Sequence, residues 1–245
     1  MRIGILDSGE ESRKIGESFI ELGHTIKIGS RNPKKDEIIQ WINKNNNNTE
    51  KASFGTFLET AKFEEVIVIA TLWDGIINAI KMAEQKNFDK KVVIDVTNPL
   101  DFSNDVPPRL ALGFSNSSGE TLQRLISSAK VVKAFNTVGN PHFIPPNFPN
   151  GRPPAIFICG NDDSAKRFVT KNILSNLGWK SMDIEGIEGS RLLEPLTFLW
   201  IICYFKTGSG NLHLNYFVNS EILNDYWYIK FFEIDMFWKY FLFFI

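Results

Sequence analysis

Cysteine and histidine are scarce in this chain of 245 residues, with two of the first and three of the second. Cys159 and Cys203 fit neither a disulfide framework nor a metal-ligand spacing. A disulfide-stapled secreted fold is therefore not expected, and a reducing, cytoplasmic setting is. His24, His142 and His213 lie far apart in sequence, so no metal site is expected either. An excess of one charge is lacking too: 27 basic residues stand against 28 acidic ones, for a net charge of −1. That balance gives no reason to expect a nucleic-acid or membrane-surface partner. No apolar run reaches the roughly 20 residues of a membrane helix. The stretch from Pro195 to Phe205 is about half that length. Met1-Arg2-Ile3-Gly4-Ile5-Leu6 runs straight into turn residues, which is too short for the apolar part of a signal peptide. What is present is 43% hydrophobic content, enough for one large domain or for one with a small appendage.

The pattern alternates strand and helix. Short apolar runs at Arg2–Leu6, Thr25–Gly29, Glu65–Ala70, Lys91–Val96, Lys130–Ala134, Ala155–Gly160 and Lys180–Ile184 predict buried strands. Helices are predicted over Glu10–Leu22, Pro33–Lys44, Gly75–Lys86, Thr121–Leu125 and Ser164–Leu177. Asn45–Asn48 is a polar loop expected to have no role. Six prolines between Pro141 and Pro154 exclude regular structure there. Such alternation predicts an α/β fold of Rossmann type: a doubly wound, mostly parallel sheet with helices on both faces. A small C-terminal helical segment follows it. Ligands of such sheets bind at the carboxyl ends of the strands.

The first strand leads into Asp7-Ser8-Gly9-Glu10-Glu11-Ser12, in the place of a G-x-G-x-x-G dinucleotide loop. Only the middle glycine is there, the one that lets the backbone approach a pyrophosphate. Asp7 would bring a carboxylate near two phosphates. Ser8 and Glu11 also have capping-box spacing, so the loop reads equally as a plain helix start. The second strand says more. It ends in Gly29-Ser30-Arg31-Asn32-Pro33-Lys34-Lys35, without an acid to hold a ribose 2′-hydroxyl until Asp36. Arg pairs with phosphate through a charge-assisted fork. A helix start is ordinarily acidic because of the dipole, so basic residues there ask for a reason. A 2′-phosphate supplies one, and NADP(H) is the cofactor expected.

Four further stretches carry a family resemblance: Ile28-Gly29-Ser30-Arg31-Asn32-Pro33, Val93-Ile94-Asp95-Val96-Thr97-Asn98-Pro99-Leu100, Val132-Lys133-Ala134-Phe135-Asn136-Thr137 and Ser190-Arg191-Leu192-Leu193-Glu194-Pro195-Leu196. Together they resemble the NADPH-dependent coenzyme F420 reductases. The same domain is similar to the cytosolic part of the six-transmembrane metalloreductases. The resemblance runs over about residues 1–210. It implies hydride transfer between a nicotinamide and a flavin-like acceptor, with catalysis by ring positioning and no group singled out as the catalyst. It implies that Ser8, Gly9 and Glu10 face the pyrophosphate, and that Ser30, Arg31 and Lys35 hold the 2′-phosphate. Ala70, Thr71 and Leu72 would lie beside the cofactor, and Asn98, Pro99, Asn136 and Thr137 would flank the nicotinamide. Arg191 and Thr197 would close the site on the substrate side, although Arg191 reads equally as one half of a surface ion pair. Trp73 and Phe135 are expected in the core. Pro195 stands where some members have a serine.

The expected division is a nucleotide-binding domain over 1–186, a helical segment over 187–210, and an aromatic-rich tail over 211–245. The tail has apolar residues on all sides and charges at Asp225, Lys230, Glu233, Asp235 and Lys239, which fits no membrane span. It reads either as a docking segment or as a gene model that overruns its true end. The function expected is an NADP(H)-dependent oxidoreductase with a small-molecule electron acceptor, with a homodimer as its compatible assembly. A non-catalytic NADP(H) sensor or scaffold is the rival. An imine reductase is a third reading, set back by the short chain after residue 190.

Overall fold

The computed structural model describes residues 1–46, 50–63, 65–103, 106–139, 143 and 155–208. All of them fall in one compact unit, Met1–His213. The tail from 211 lies outside the described residues, as does the proline-rich stretch except for Phe143.

The chain runs β1 (Arg2–Leu6), α1 (Glu10–Glu21), β2 (Thr25–Gly29), α2 (Asp36–Asn45), β3 (Ala52–Gly55), α3 (Phe57–Phe63) and β4 (Val66–Ile69). It continues through α4 (Ile76–Ala83), β5 (Val92–Asp95), the short antiparallel pair β6 (Leu100–Asp101) and β7 (Arg109–Leu110), and α5 (Ser118–Leu125). Then come β8 (Lys130–Lys133), β9 (Ile156–Ile158), α6 (Asp163–Val169), β10 (Ser181–Asp183) and α7 (Ser190–Thr207).

Six strands form one parallel sheet in the order β3-β2-β1-β4-β5-β8. This is the doubly wound order, with its reversal between β1 and β4. β9 and β10 pair in parallel beside it. Cys159 joins them to the large sheet by an antiparallel bridge to Lys133.

Side chains alternate across the strands, as a sheet covered on both faces requires. Val66 and Val68 of β4 join Ile3, Ile5, Ile26, Ile28, Ile94 and Val132 under α1, α2 and α6. Ile67 and Ile69 face the other way and pack with Val93 and Val131 under α3, α4 and α5. Each fully buried isoleucine contributes roughly 1.5–3 kcal/mol.

Local signals set the helix ends. α1 buries Ile15 and Phe19, spaced one turn apart, and the chain turns at Gly23 with φ 85°. Trp41 of α2 donates its indole N–H to the Arg13 carbonyl at 3.0 Å, tying the first two helices together. Ser117 caps α5: its Oγ accepts the Glu120 N–H at 3.1 Å and donates to Glu120 Oε2 at 2.7 Å. α7 ends on Gly208 in the left-handed conformation, φ 66°.

Three sequence expectations change. α2 starts at Asp36 rather than Pro33. The predicted helix over Ser164–Leu177 divides into α6 and a π-helical stretch at Thr170–Leu174. β3 and α3 are additions to the predicted pattern. Of the polar stretch Asn45–Asn48, Asn47 and Asn48 lie outside the described residues, and Asn46 has a structural role. Asn46 bonds both backbone groups of Ala52, at 2.7 and 2.9 Å, and so holds the end of α2 to β3.

Candidate cofactor site

The strand order reverses between β1 and β4, and doubly wound sheets bind ligands in the crevice at such a point, at the carboxyl ends of the strands. The β1–α1 loop lines it. Asp7 has φ 144°, a backbone region that suits glycine and costs another residue about 1–3 kcal/mol. Its carboxylate turns onto the start of α1 and accepts the Gly9 N–H at 2.7 Å and the Ser12 hydroxyl at 3.2 Å. Ser8 does not cap the helix, so the capping-box expectation fails here. The Ser8 hydroxyl instead donates to Ser30 Oγ at 3.2 Å, bringing the two loops read from sequence into contact. Arg13 donates to the Ser8 carbonyl at 2.8 Å. Glu10 is exposed and Glu11 half-buried. Burial, and then the charge of Asp7, push the Glu11 carboxyl up to about 7.

At the end of β2, Ser30 is buried and its hydroxyl is shared with the Asn32 backbone. Arg31 and Lys35 are exposed, and neither has an ion pair among the described residues. They lie in the loop before α2, whose first turn holds Asp36 and Glu37. The helix start is therefore acidic after all, and the dipole gives no reason of its own for the basic residues. What remains is a cationic loop beside the end of β2.

Beyond β4, Ala70 and Thr71 are buried while Leu72 is 67% exposed. Thr71 Oγ1 is buried with no hydrogen-bond partner. Across the crevice, Asn98 and Asn136 bind each other. Asn136 Nδ2 donates to Asn98 Oδ1 at 3.1 Å, and Asn98 Nδ2 donates to the Asn136 carbonyl at 3.0 Å. Asn136 Nδ2 also reaches the Leu193 carbonyl and Thr197 Oγ1, each at 3.1 Å. The Thr197 hydroxyl donates back to the Asn136 carbonyl at 2.9 Å. Asn136 Oδ1 is left buried without a partner. Pro99 is buried beside this cluster in sequence, and Thr137 is half-buried. Phe135 is in the core, packed on Phe143, and holds φ 65° just before Asn136. Trp73 packs partly buried on the second core cluster. Arg191 makes a two-pronged pair with Glu120, the ion-pair alternative raised by its sequence.

The residue that sequence reading missed lies beneath these groups. Lys133 is fully buried. Its ammonium donates to Thr97 O at 2.6 Å, Glu194 Oε1 at 2.7 Å, Ser118 Oγ at 2.8 Å and Asp95 Oδ2 at 3.0 Å. Burial lowers the pKa of such a lysine, but the charges of Asp95 and Glu194 outweigh it and the net shift is upward. Glu194 also accepts the Ser118 and Gly119 N–H groups at the start of α5, at 3.0 and 3.1 Å. One carboxylate from α7 thus ties together α5, β8 and the end of β5. A signal was present: Asp95 and Lys133 are opposite charges ending two apolar strands, and they are partners in the register of β5 with β8.

The two orphaned buried oxygens and the free basic loop fit a phosphorylated dinucleotide, whereas the Asp7 carboxylate opposes it. Among the described residues no group of acids, cysteines and histidines could hold a metal ion, and no helix is long and apolar enough to cross a membrane.

Residues 2–99 match the family model described as NADP oxidoreductase, coenzyme F420-dependent. The F420-dependent NADP reductase of Methanocaldococcus jannaschii is 29% identical over 156 residues, covering 62% of this chain and 69% of the relative. The metalloreductase STEAP3 of Rattus norvegicus is 26% identical over 196 residues, or 80% of this chain. This chain spans only 36% of that protein's length. A crystal structure from Arthrobacter sp. FB24, assigned as an F420-dependent NADP reductase, superposes with a TM-score of 0.81 at 30% identity. That match covers 88% of this chain and 98% of the other. The chain belongs to the family of coenzyme F420-dependent NADP oxidoreductases.

Proposed function

We propose that the chain binds NADP(H) along the carboxyl ends of β1, β2, β4, β5 and β8 and passes hydride between its nicotinamide and a flavin-like acceptor. The observation that carries this is the pair of buried, unpartnered oxygens, Thr71 Oγ1 and Asn136 Oδ1, after β4 and β8. An unsatisfied buried polar atom costs about 1–3 kcal/mol, which a ligand group can recover.

The cofactor, when bound, supplies two electrons and a proton as hydride. The chain's own residues bind and orient. Arg31 and Lys35 offer free cations to a 2′-phosphate, with Ser30 between them and the β1–α1 loop. Ser8, Gly9 and Glu10 face the pyrophosphate, and Ala70, Thr71 and Leu72 lie along the cofactor. Asn98, Pro99, Asn136 and Thr137 hold the nicotinamide end. Thr197 closes it from α7, fixed by its bonds to Asn136. Arg191 acts through Glu120 in this arrangement rather than on the acceptor. Catalysis in this reading rests on holding two rings in contact, as the family resemblance implies.

The same proposal takes residues 1–186 as the nucleotide-binding part and 187–210 as the segment that closes the site. It takes a cytoplasmic setting, supported by the two free thiols. It takes a homodimer, supported by Leu192, Leu199 and Phe205 lying exposed along α7. The sensor alternative keeps one observation in its favour, the Asp7 carboxylate at the pyrophosphate position.

Turnover separates the two. NADPH absorbance is followed with deazaflavins, flavins, quinones and ferric chelates as acceptors. Catalytic loss of NADPH with a deazaflavin or flavin supports the oxidoreductase. Tight NADPH binding with no turnover on any acceptor leaves the sensor.

A further inference from the structure

We propose that Asp7 sets the dinucleotide affinity of this chain: its carboxylate holds the anion position at the start of α1, and a dinucleotide binds by displacing it. The inference rests on the assignment of the β1–α1 loop to the pyrophosphate. The start of a helix favours an anion, because its first N–H groups have no partners within the helix. Here an anion is already in place. Asp7 Oδ2 takes the Gly9 N–H at 2.7 Å and the Ser12 hydroxyl at 3.2 Å, as a phosphate oxygen would.

The loop is shaped around this contact. A Cβ built on Gly9 would stand 2.8 Å from Asp7 Oδ2, so the glycine that would admit a phosphate admits the carboxylate instead. The Asp7 N–H is tied to the Gly29 carbonyl at 3.2 Å, which fixes the backbone of the loop against β2. Asp7 holds φ 144°, and the backbone strain at that value is tolerated with the carboxylate seated on the helix.

A dinucleotide that enters has two effects to overcome. It must break both contacts of the carboxylate, and it must then bear a negative charge beside its own two. At about 5 Å and an effective dielectric near 20, one such repulsion exceeds a tenfold change in affinity. The effect acts on the diphosphate, which NADPH and NADH share. The 2′-phosphate contacts act on the ratio between the two cofactors. Absolute affinity and cofactor preference are therefore separable.

The test is a fluorescence titration of wild type, Asp7→Asn and Asp7→Gly with NADPH and with NADH. Asn keeps an acceptor for Gly9, tolerates positive φ and removes the charge. Gly removes the competitor and suits the backbone. Both variants are expected to bind both cofactors at least tenfold more tightly than wild type, with the NADPH/NADH ratio unchanged. A second readout is the Gly9 amide resonance of the wild-type chain, expected to move at saturating NADPH to its position in NADPH-saturated Asp7→Gly. Wild-type or weaker affinity in both variants overturns the proposal while the preserved ratio leaves the cofactor assignment standing. A Gly9 amide unmoved at saturation also overturns it. No binding of either cofactor by any of the three chains removes the site assignment and the proposal together.

Discussion

A carboxyl group held half-buried beside another carboxylate keeps its proton longer than one in water. Glu11 is in this position, raised from 4.5 to about 7 by burial first and by Asp7 second. Below pH 4.5 it is protonated folded and unfolded, and contributes no difference. As pH rises from 4.5 toward 7 the unfolded chain ionises first, so folding loses stability over that window, and the loss is complete above 7. Thermal melts of Glu11→Gln should fall less across this window than those of wild type. Parallel curves for the two would show that the fold does not perturb Glu11. The same scale explains Phe135. Its φ of 65° is unusual for a bulky residue, and its ring stays in the core while the chain turns to set Asn136 between Asn98 and α7.

Between elements, the fixed points are charged. Glu194 of α7 accepts from Lys133 of β8 and from the first N–H groups of α5, one turn before Thr197 meets Asn136. Removing one partner of a buried charge pair leaves the other charge uncompensated, at a cost of about 3–5 kcal/mol. Lys133→Met leaves Asp95 and Glu194 in that state and should lower urea stability by about this amount. Lys130→Met, which breaks a half-exposed pair with Asp162, should cost less than about 1 kcal/mol. Equal losses in the two variants would contradict the account of this network. Its chemistry was only half legible in sequence. Val93-Ile94-Asp95 and Val131-Val132-Lys133 each show a charge at the end of an apolar strand. Which strands pair, and in what register, is a tertiary fact that the sequence pattern does not state. Glu194 was further from view, because nothing local marks it as the cap of a helix 76 residues earlier.

At the scale of the whole molecule, the alternating sheet was readable because β4, β5 and β8 hold adjacent Val or Ile residues and β1 and β2 each carry two Ile in a short apolar stretch. β3 was not, since Ala52-Ser53-Phe54-Gly55 has no β-branched residue. α3 has seven residues, too few for a period to show. At the site, Ser8, Ser30, Asn98, Asn136 and Thr197 were legible as strand-end or family residues, and the structure joins them by hydrogen bonds in two groups. The capping role of Asp7 was not, because its contacts follow from a backbone angle that sequence does not display. The basic loop after β2 was visible, but its place relative to the helix differs by three residues, from Pro33 to Asp36. The cofactor preference therefore rests on free cations beside β2 and not on a helix dipole.

That preference is the central claim, and one titration reaches it directly. The dissociation constants of NADPH and NADH are measured for the wild-type chain and for Arg31→Ala. A charge-assisted bond to phosphate contributes about 1.5–3 kcal/mol, which is more than a factor of ten. The account predicts that wild type binds NADPH at least tenfold more tightly than NADH and that Arg31→Ala loses most of that difference. Equal affinities of the wild-type chain for the two cofactors would contradict it.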